Sequence, residues 1–511
     1  MSIIINESLL KKANSLKKDL IYKKAFPIRV VDFAENLNCF QHIEVLEKDA
    51  FSLPLILNSG NKVLLDFGDH YVGYLHFSLN SYGNKRIGDS PVRLKFSFGE
   101  FPYEILKPIE EYNGTLGNGW FQREERIVAM MPYETKLDRR YAFRYLLIER
   151  TDNADFTVEI KNLFAETVSA VDMKNAFPIH IEDKQLERIY TAALKTLKEC
   201  EQDVFEDGPK RDRRLWMGDL RVQALTDYKT FQNYDLVKRC LYLLAACRTD
   251  SKMVSSCLFA DTPPYIDDST EWIFTDYCLF FVSCLYDYYE DCKDIAFVKE
   301  LYAVAQEQIE IAHSMYEGKA KPFIDWCPNL DKEIAFLGVY LYALRQFKYI
   351  SALLNENVDW VETEIKTVAE LMMTYFDRSK GLFVTANGQI SQHSQVWAVL
   401  SGILSPDESI ALISKVETLN TEYTMRTPFA VHYYLEALYN CGLKERMIEK
   451  IKDYWGKMLD CGYDCCPECF NENNDFESPY NAPEINSACH AWSCTPAYWI
   501  AKYVQEENDG T

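Results

Sequence analysis

The sequence predicts a multidomain β + α chain. A jelly-roll-like β-sandwich covers residues 1–178, and a toroid of six helical hairpins, an (α/α)6 barrel, covers 179–511. Three observations predict this. Apolar residues alternate at period two in the first third of the chain. The spacing changes to three and four just after Pro178. Beyond that point no motif repeats at a fixed interval of 34–47 residues, as a helical solenoid would require.

The β unit comes first. Residues 63–68, 71–79, 92–98 and 156–160 alternate apolar with polar side chains, and 123–130 and 143–149 do so less cleanly. Turn-prone clusters separate them, among them Asn58-Ser-Gly-Asn and Asn113-Gly-Thr-Leu-Gly-Asn-Gly. Many short strands with such punctuation belong to a sandwich.

About twelve helical segments follow, near 183–200, 219–232, 235–249, 270–291, 295–316, 330–348, 358–377, 393–404, 406–418, 427–440, 443–460 and 488–505. Several, such as 236–247 and 334–344, are apolar nearly all round, as helices buried on two faces are. In a two-ring toroid the long loops at one end form a pocket. The non-helical stretches rich in Asp, Trp and His are expected to line it.

Composition excludes some partners. With 55 Lys+Arg against 77 Asp+Glu, the net charge is -22 and no basic stripe is present, so nucleic acid and anionic membrane are not expected partners. No run approaches the ~18 apolar residues of a membrane span. Met1-Ser-Ile-Ile-Ile is followed at once by Asn6 and Glu7, then by Lys11, Lys12, Lys17 and Lys18, unlike an export signal, and the 16 Cys follow no framework spacing. Both point to a cytoplasmic protein with reduced thiols. A homo-oligomer is left open. No GxxxxGK, GxGxxG, GxSxG or HExxH motif stands in the required context, so no cofactor is expected.

The densest polar segment runs from Glu206 to Asp219, between the first two helical segments. It holds four carboxylates, three arginines and Trp216. Gly208-Pro209 breaks the helix, and Asp219 can cap the next one. A solvated charged loop would not carry an indole between Arg211 and Asp219 unless it packed or bound something. Arginines hold some carboxyls ionised while apolar surface keeps others protonated, which is how a general acid is set apart from a sugar-binding carboxylate.

This segment resembles the signature loop of bacterial α-L-rhamnosidases with a six-hairpin catalytic barrel, glycoside hydrolase family 78. That loop typically runs Asp-Cys-Pro-x-Arg-Glu-Arg-x-Gly-Trp-x-Gly-Asp. Asp207, Pro209, Arg211, Arg213, Trp216, Gly218 and Asp219 match in register without a gap. By the resemblance Asp207, Arg211, Trp216 and Asp219 hold the sugar. Asp212, standing where the family usually has Glu, protonates the leaving oxygen. Gly208 and Leu215 depart from the pattern. Asp at the acid position shortens its reach by about 1.5 Å.

The resemblance also implies a general base near the C-terminal end, in a pattern like Gly-Ala-Thr-Thr-x-Trp-Glu after an amphipathic helix. The spacing from Gly462 to Glu468 is kept, although Tyr463, Asp464, Cys465, Cys466 and Pro467 depart from it. Glu468 is the expected base. Ser487-Ala-Cys-His490-Ala-Trp492 resembles the segment that returns a His to the active site, which adds His490 and Trp492 as substrate contacts. Trp272, after Asp267-Asp268, and Trp326, after Asp325, are candidate pocket aromatics. Gln395, Trp397, His432 and Tyr433 fit a helical core better than a pocket. Cys461, Cys465, Cys466 and Cys469, with His490, offer a zinc-like set, but one CxxC without a second pair is weak, and no metal is expected.

The resemblance implies an inverting hydrolase that removes terminal α-L-rhamnose, or a related sugar, from small glycosides. Rival readings are a six-hairpin enzyme for another sugar, either an uronyl hydrolase or phosphorylase-like, and a non-catalytic sugar-binding protein.

Overall fold

The computed structural model describes residues 3–83, 90–266 and 273–509. An antiparallel β-sheet unit precedes a helical barrel, as expected.

Ten strands make up the β unit. They are organised around one strand of 20 residues, Lys62–Ser81, which covers both of the strands expected at 63–68 and 71–79. Its first half pairs with Arg29–Glu35 and Tyr141–Arg150, and its second half with Val158–Ser169 and Tyr133–Lys136. Gly68, at φ +77°, lets the strand turn between the two halves. The sheet closes on itself through side chains. Phe77 meets Phe96 of the Val92–Gly99 strand, with ring centroids 5.0 Å apart, although these strands share no ladder. Leu65, Leu94, Leu146, Val158 and Leu163 complete this core.

All twelve expected helices form. Met217–Lys229, Thr275–Cys292, Glu333–Leu353, Gln392–Leu400 and Pro428–Asn440 pack in succession, and Pro496–Asp509 closes the ring against Met217–Lys229. These inner helices are buried around most of their circumference. Every residue of Gln392–Leu400 is buried, for example. The outer helices are amphipathic. Lys184–Cys200 buries Leu186, Ile189, Tyr190, Ala193 and Leu197 at spacings of three and four, under an Asp183 side chain that accepts from the Gln185 and Leu186 N–H groups.

Three expectations need correcting. The β unit expected over 1–178 does not include its first residues: the strand Ile3–Ile5 pairs with Cys247–Thr249, and the helix Glu7–Ser15 packs on Tyr234–Ala246. A short amphipathic segment carries no sign of which neighbour it will cover. The second helix begins at Met217 with Trp216 at its N-cap, so Asp219 lies in the first turn and is not the cap. The last helix begins at Pro496, not 488, since proline suits a first helical position. Residues 488–495 are thereby left as loop.

Candidate active site

The loop after Lys184–Cys200 sorts its charges into two addresses. Glu206 pairs with Arg140 of the β unit at 2.6 and 2.8 Å. Lys210 lies 3.0 Å from Glu104, and Arg213 donates to the Arg140 carbonyl at 2.6 Å. These side chains fasten the loop to the sheet. Asp207, Arg211, Asp212, Arg214, Trp216 and Asp219 point the other way, into a cavity of about 290 Å³ at the mouth of the barrel.

Nine of the ten residues expected at the site line this single cavity: Asp207, Arg211, Asp212, Trp216, Asp219, Trp326, Glu468, His490 and Trp492. The tenth, Trp272, lies outside the described residues, as do Asp267 and Asp268. The C-terminal loops deliver Glu468, His490 and Trp492. The Trp492 indole donates to the Glu468 carbonyl at 2.8 Å, and its ring lies 4.5 Å from that of His490.

Asp207 holds the loop in shape. Its carboxylate accepts from the N–H groups of Asp212 and Arg214, each at 3.0 Å. Burial, then the neighbouring Asp212, pushes its carboxyl up to about 7. Asp219 is driven up more strongly, again by burial and then by Asp207. His490 sits between them, 3.8 Å from each. Burial drives its imidazole down to about 4 against the pull of Glu468, so it is neutral at pH 7. Asp219 Oδ1, His490 Nδ1 and Trp326 Nε1 are buried without a hydrogen-bond partner in the protein. They are a set of donors and acceptors suited to ligand hydroxyls.

Glu468 is the opposite case. Burial opposes its charge, yet Arg211 and then His490 hold its carboxyl down at about 2. It accepts from Arg211 Nη2 at 2.6 Å, from the Tyr480 hydroxyl at 2.5 Å and from the Ser487 N–H at 3.1 Å. Arg211 Nη1 reaches Asp212 Oδ1 at 3.4 Å. The terminal nitrogens of a guanidinium are ~2.3 Å apart on standard C–N lengths. The bonded oxygens of Asp212 and Glu468 are therefore within about 8 Å of each other.

Several lining residues escaped the sequence reading: Leu116, Trp120, Phe274, Tyr277, Phe323 and Tyr480. Trp120 follows a glycine-rich stretch that reads only as punctuation between strands. Tyr480 had no motif to mark it. Asp325, paired in the sequence with Trp326, faces away and is a structural hub. It accepts from His393, the Arg426 N–H and Thr427, all at 2.7 Å. Gln395, Trp397, His432 and Tyr433 lie in the barrel interior, as expected. The zinc-like set of Cys461, Cys465, Cys466, Cys469 and His490 does not converge, because His490 is committed to the cavity.

An inner ring of helices whose loops enclose opposed carboxylates, arginine and an aromatic wall defines a carbohydrate-active hydrolase of the six-hairpin class. Residues 27–167 match the glycosyl hydrolase family 78 α-rhamnosidase N-terminal domain, and 174–504 match the bacterial α-L-rhamnosidase six-hairpin glycosidase domain. The chain belongs to glycoside hydrolase family 78, the bacterial α-L-rhamnosidases.

It is similar to a rhamnosidase from Klebsiella oxytoca solved with rhamnose bound, at 34% identity and TM-score 0.93, over 98% of this chain and 100% of that one. The family 78 rhamnosidase of Bacillus sp. GL1 shares the fold at 18% identity and TM-score 0.72, over 90% of this chain and 49% of that one. The Streptomyces avermitilis α-L-rhamnosidase does so at 13% and 0.66, over 95% and 44%. No curated protein matches the chain at comparable significance.

Proposed function

We propose that this α-L-rhamnosidase removes terminal α-L-rhamnose from small glycosides with inversion at the anomeric carbon. Asp212 gives its proton to the glycosidic oxygen. Glu468, ionised and held by Arg211, takes a proton from a water that attacks the opposite face of the sugar. The observation that carries this reading is the single guanidinium touching both carboxylates inside one cavity. The upper limit of about 8 Å on their separation leaves room for the 6.5–9.5 Å spacing of inverting enzymes. Rhamnose bound in the Klebsiella relative supports the choice of sugar.

The small cavity, closed on one side by Leu116 and Trp120 of the β unit, favours a short glycoside over a polymer. Sixteen free cysteines fit the reducing conditions of a cytoplasm. The test is proton NMR of the first turnover on an aryl α-L-rhamnoside. β-L-Rhamnose as the first product is the expected result. α-L-Rhamnose as the first product would overturn inversion.

A further inference from the structure

Behind the active site, where the two units meet, lies a second cluster that the hydrolytic mechanism does not use. The imidazole of His70 and the thiols of Cys465 and Cys489 place their ligand atoms within 4.8 Å of one another. All three side chains are buried, at 1%, 0% and 0% exposure. His70 comes from the long strand of the β unit. Cys465 stands three residues before Glu468, and Cys489 directly precedes His490.

The surroundings are those of a metal ligand set. His70 Nε2 lies 2.9 Å from Glu100 Oε1, whereas Nδ1 is buried and has no hydrogen-bond partner. A carboxylate on one ring nitrogen fixes the tautomer that leaves the other nitrogen's lone pair free, the arrangement that backs most metal-bound histidines. Glu100 is itself anchored, since its Oε2 accepts from the Ala488 N–H at 2.7 Å, next to Cys489. Cys200 packs into the same buried cluster as Cys465 and Cys489, but its thiol is not part of the set that converges. Cys240, Cys278 and Cys284, by contrast, lie in helices packed into the apolar core.

We propose that His70, Cys465 and Cys489 bind one thiophilic divalent metal ion, zinc foremost, and that it pins the loops carrying Glu468 and His490 to the β unit. Two thiolates and a neutral imidazole balance a 2+ charge. Ligand atoms less than 4.8 Å apart need only a small contraction to reach tetrahedral Zn–S and Zn–N lengths of about 2.3 and 2.0 Å. A site this buried fills as the chain folds and exchanges slowly afterwards. The ion would take no part in bond cleavage.

The experiment measures metal on the full-length protein, purified without chelator from zinc-supplemented cells. About one equivalent of zinc per chain is expected. Protein refolded with Co²⁺ should show thiolate-to-cobalt charge transfer and the intense visible bands of a tetrahedral site. His70→Ala and Cys489→Ser should each lower bound zinc at least fivefold, while Cys240→Ser should leave it unchanged. These readouts need no turnover, so they stand apart from the hydrolytic assignment. Wild-type protein with less than a tenth of an equivalent of zinc and no cobalt bands would overturn the proposal, whatever the variants do. So would a Cys465–Cys489 disulfide in the native protein by mass spectrometry, or full zinc retention in both ligand variants.

Discussion

Arg211 donates to Glu468 across 2.6 Å inside the protein, and its other terminal nitrogen reaches Asp212. One cation thus keeps the proposed base ionised and sets its distance from the proposed acid. Removing either carboxylate should therefore stop hydrolysis in distinguishable ways. Asp212→Asn is expected to lose about 10²–10⁴-fold in kcat on natural rhamnosides but far less on a nitrophenyl rhamnoside, whose leaving group needs no proton. Glu468→Gln should lose a similar factor on both. Azide should restore turnover only in Glu468→Gln, giving a rhamnosyl azide of inverted configuration. Equal losses on both substrates for both variants would contradict the division of roles.

Tyr480 touches both sides of this pair. Its hydroxyl donates to Glu468 at 2.5 Å, and the Arg211 guanidinium lies 4.3 Å from its ring centre. Tyr480→Phe keeps the ring and deletes one of three hydrogen bonds to the carboxylate. The Glu468 carboxyl should rise from about 2. The acid limb of kcat should move to higher pH, and kcat should fall about tenfold, the scale of one charge-assisted hydrogen bond. An unmoved acid limb would show that Arg211 alone sets the charge of Glu468.

The parts of the site that the sequence revealed are those carried by contiguous chemistry. Residues 207–219 place acid, arginine and indole within one loop, and nothing needs to fold for that density to be seen. Tyr480, Tyr277 and Trp120 gave no signal because their proximity exists only after the C-terminal loops and the β unit close over the barrel mouth. The helices were legible from apolar spacing, whereas their ends were not. Asp219 reads equally well as a cap or as a first-turn side chain, and only the strand-like Leu215-Trp216 pairing with Cys257-Leu258 fixes the start at Met217. The partner of Glu7–Ser15 is a tertiary choice that amphipathicity cannot name.

Asp207 is the pH-sensitive member of this loop. Burial and then the neighbouring Asp212 push its carboxyl up to about 7, so it loses its proton as pH rises through neutrality. kcat/KM should decline as pH rises through about 7. Asp207→Asn carries no titrating carboxyl, and this alkaline limb should disappear. Stability has the opposite limb. Glu468, held near 2 against 4.5 unfolded, and His490, held near 4 against 6.5, both leave the unfolded chain binding more protons in acid. Their contributions are complete above about 6.5 and decline as pH falls toward 2, His490 acting first. Urea midpoints of the wild type and Glu468→Gln between pH 7 and 3 check the sign, since the part of the difference due to the Glu468 charge should shrink as pH falls. A difference that grows in acid would contradict it.

Asp325 should matter for folding and not for turnover. It is fully enclosed and ties three segments together, His393 on one inner helix and Arg426 and Thr427 at the start of another. Asp325→Ala strips His393, Arg426 N–H and Thr427 of their acceptor and is expected to cost about 3–5 kcal/mol, as breaking one side of a buried polar pair does. At temperatures where the variant remains folded, KM for an aryl rhamnoside should be unchanged. A raised KM with normal stability would place Asp325 at the sugar.

Gly208 stands where the signature loop that this segment resembles carries cysteine, and here a side chain would meet the backbone. A Cβ at this position would lie 2.6 Å from the Arg211 carbonyl oxygen and 3.2 Å from Ser487 Oγ. The first contact is backbone, and Arg211 is fixed in turn by Glu468, so the strain cannot be relieved by a side chain swinging away. Gly208→Ala should therefore push the 207–212 turn outward and carry Arg211 and Asp212 with it. A displacement approaching 1 Å at the reacting groups is worth about 10²-fold in rate. The expected outcome is a kcat lowered ten- to hundredfold with a normal melting curve. Gly208→Cys, although it restores the family residue, should behave the same way. Wild-type kcat in either variant would mean that the turn has slack, and that Arg211 does not transmit the loop's position to the carboxylates.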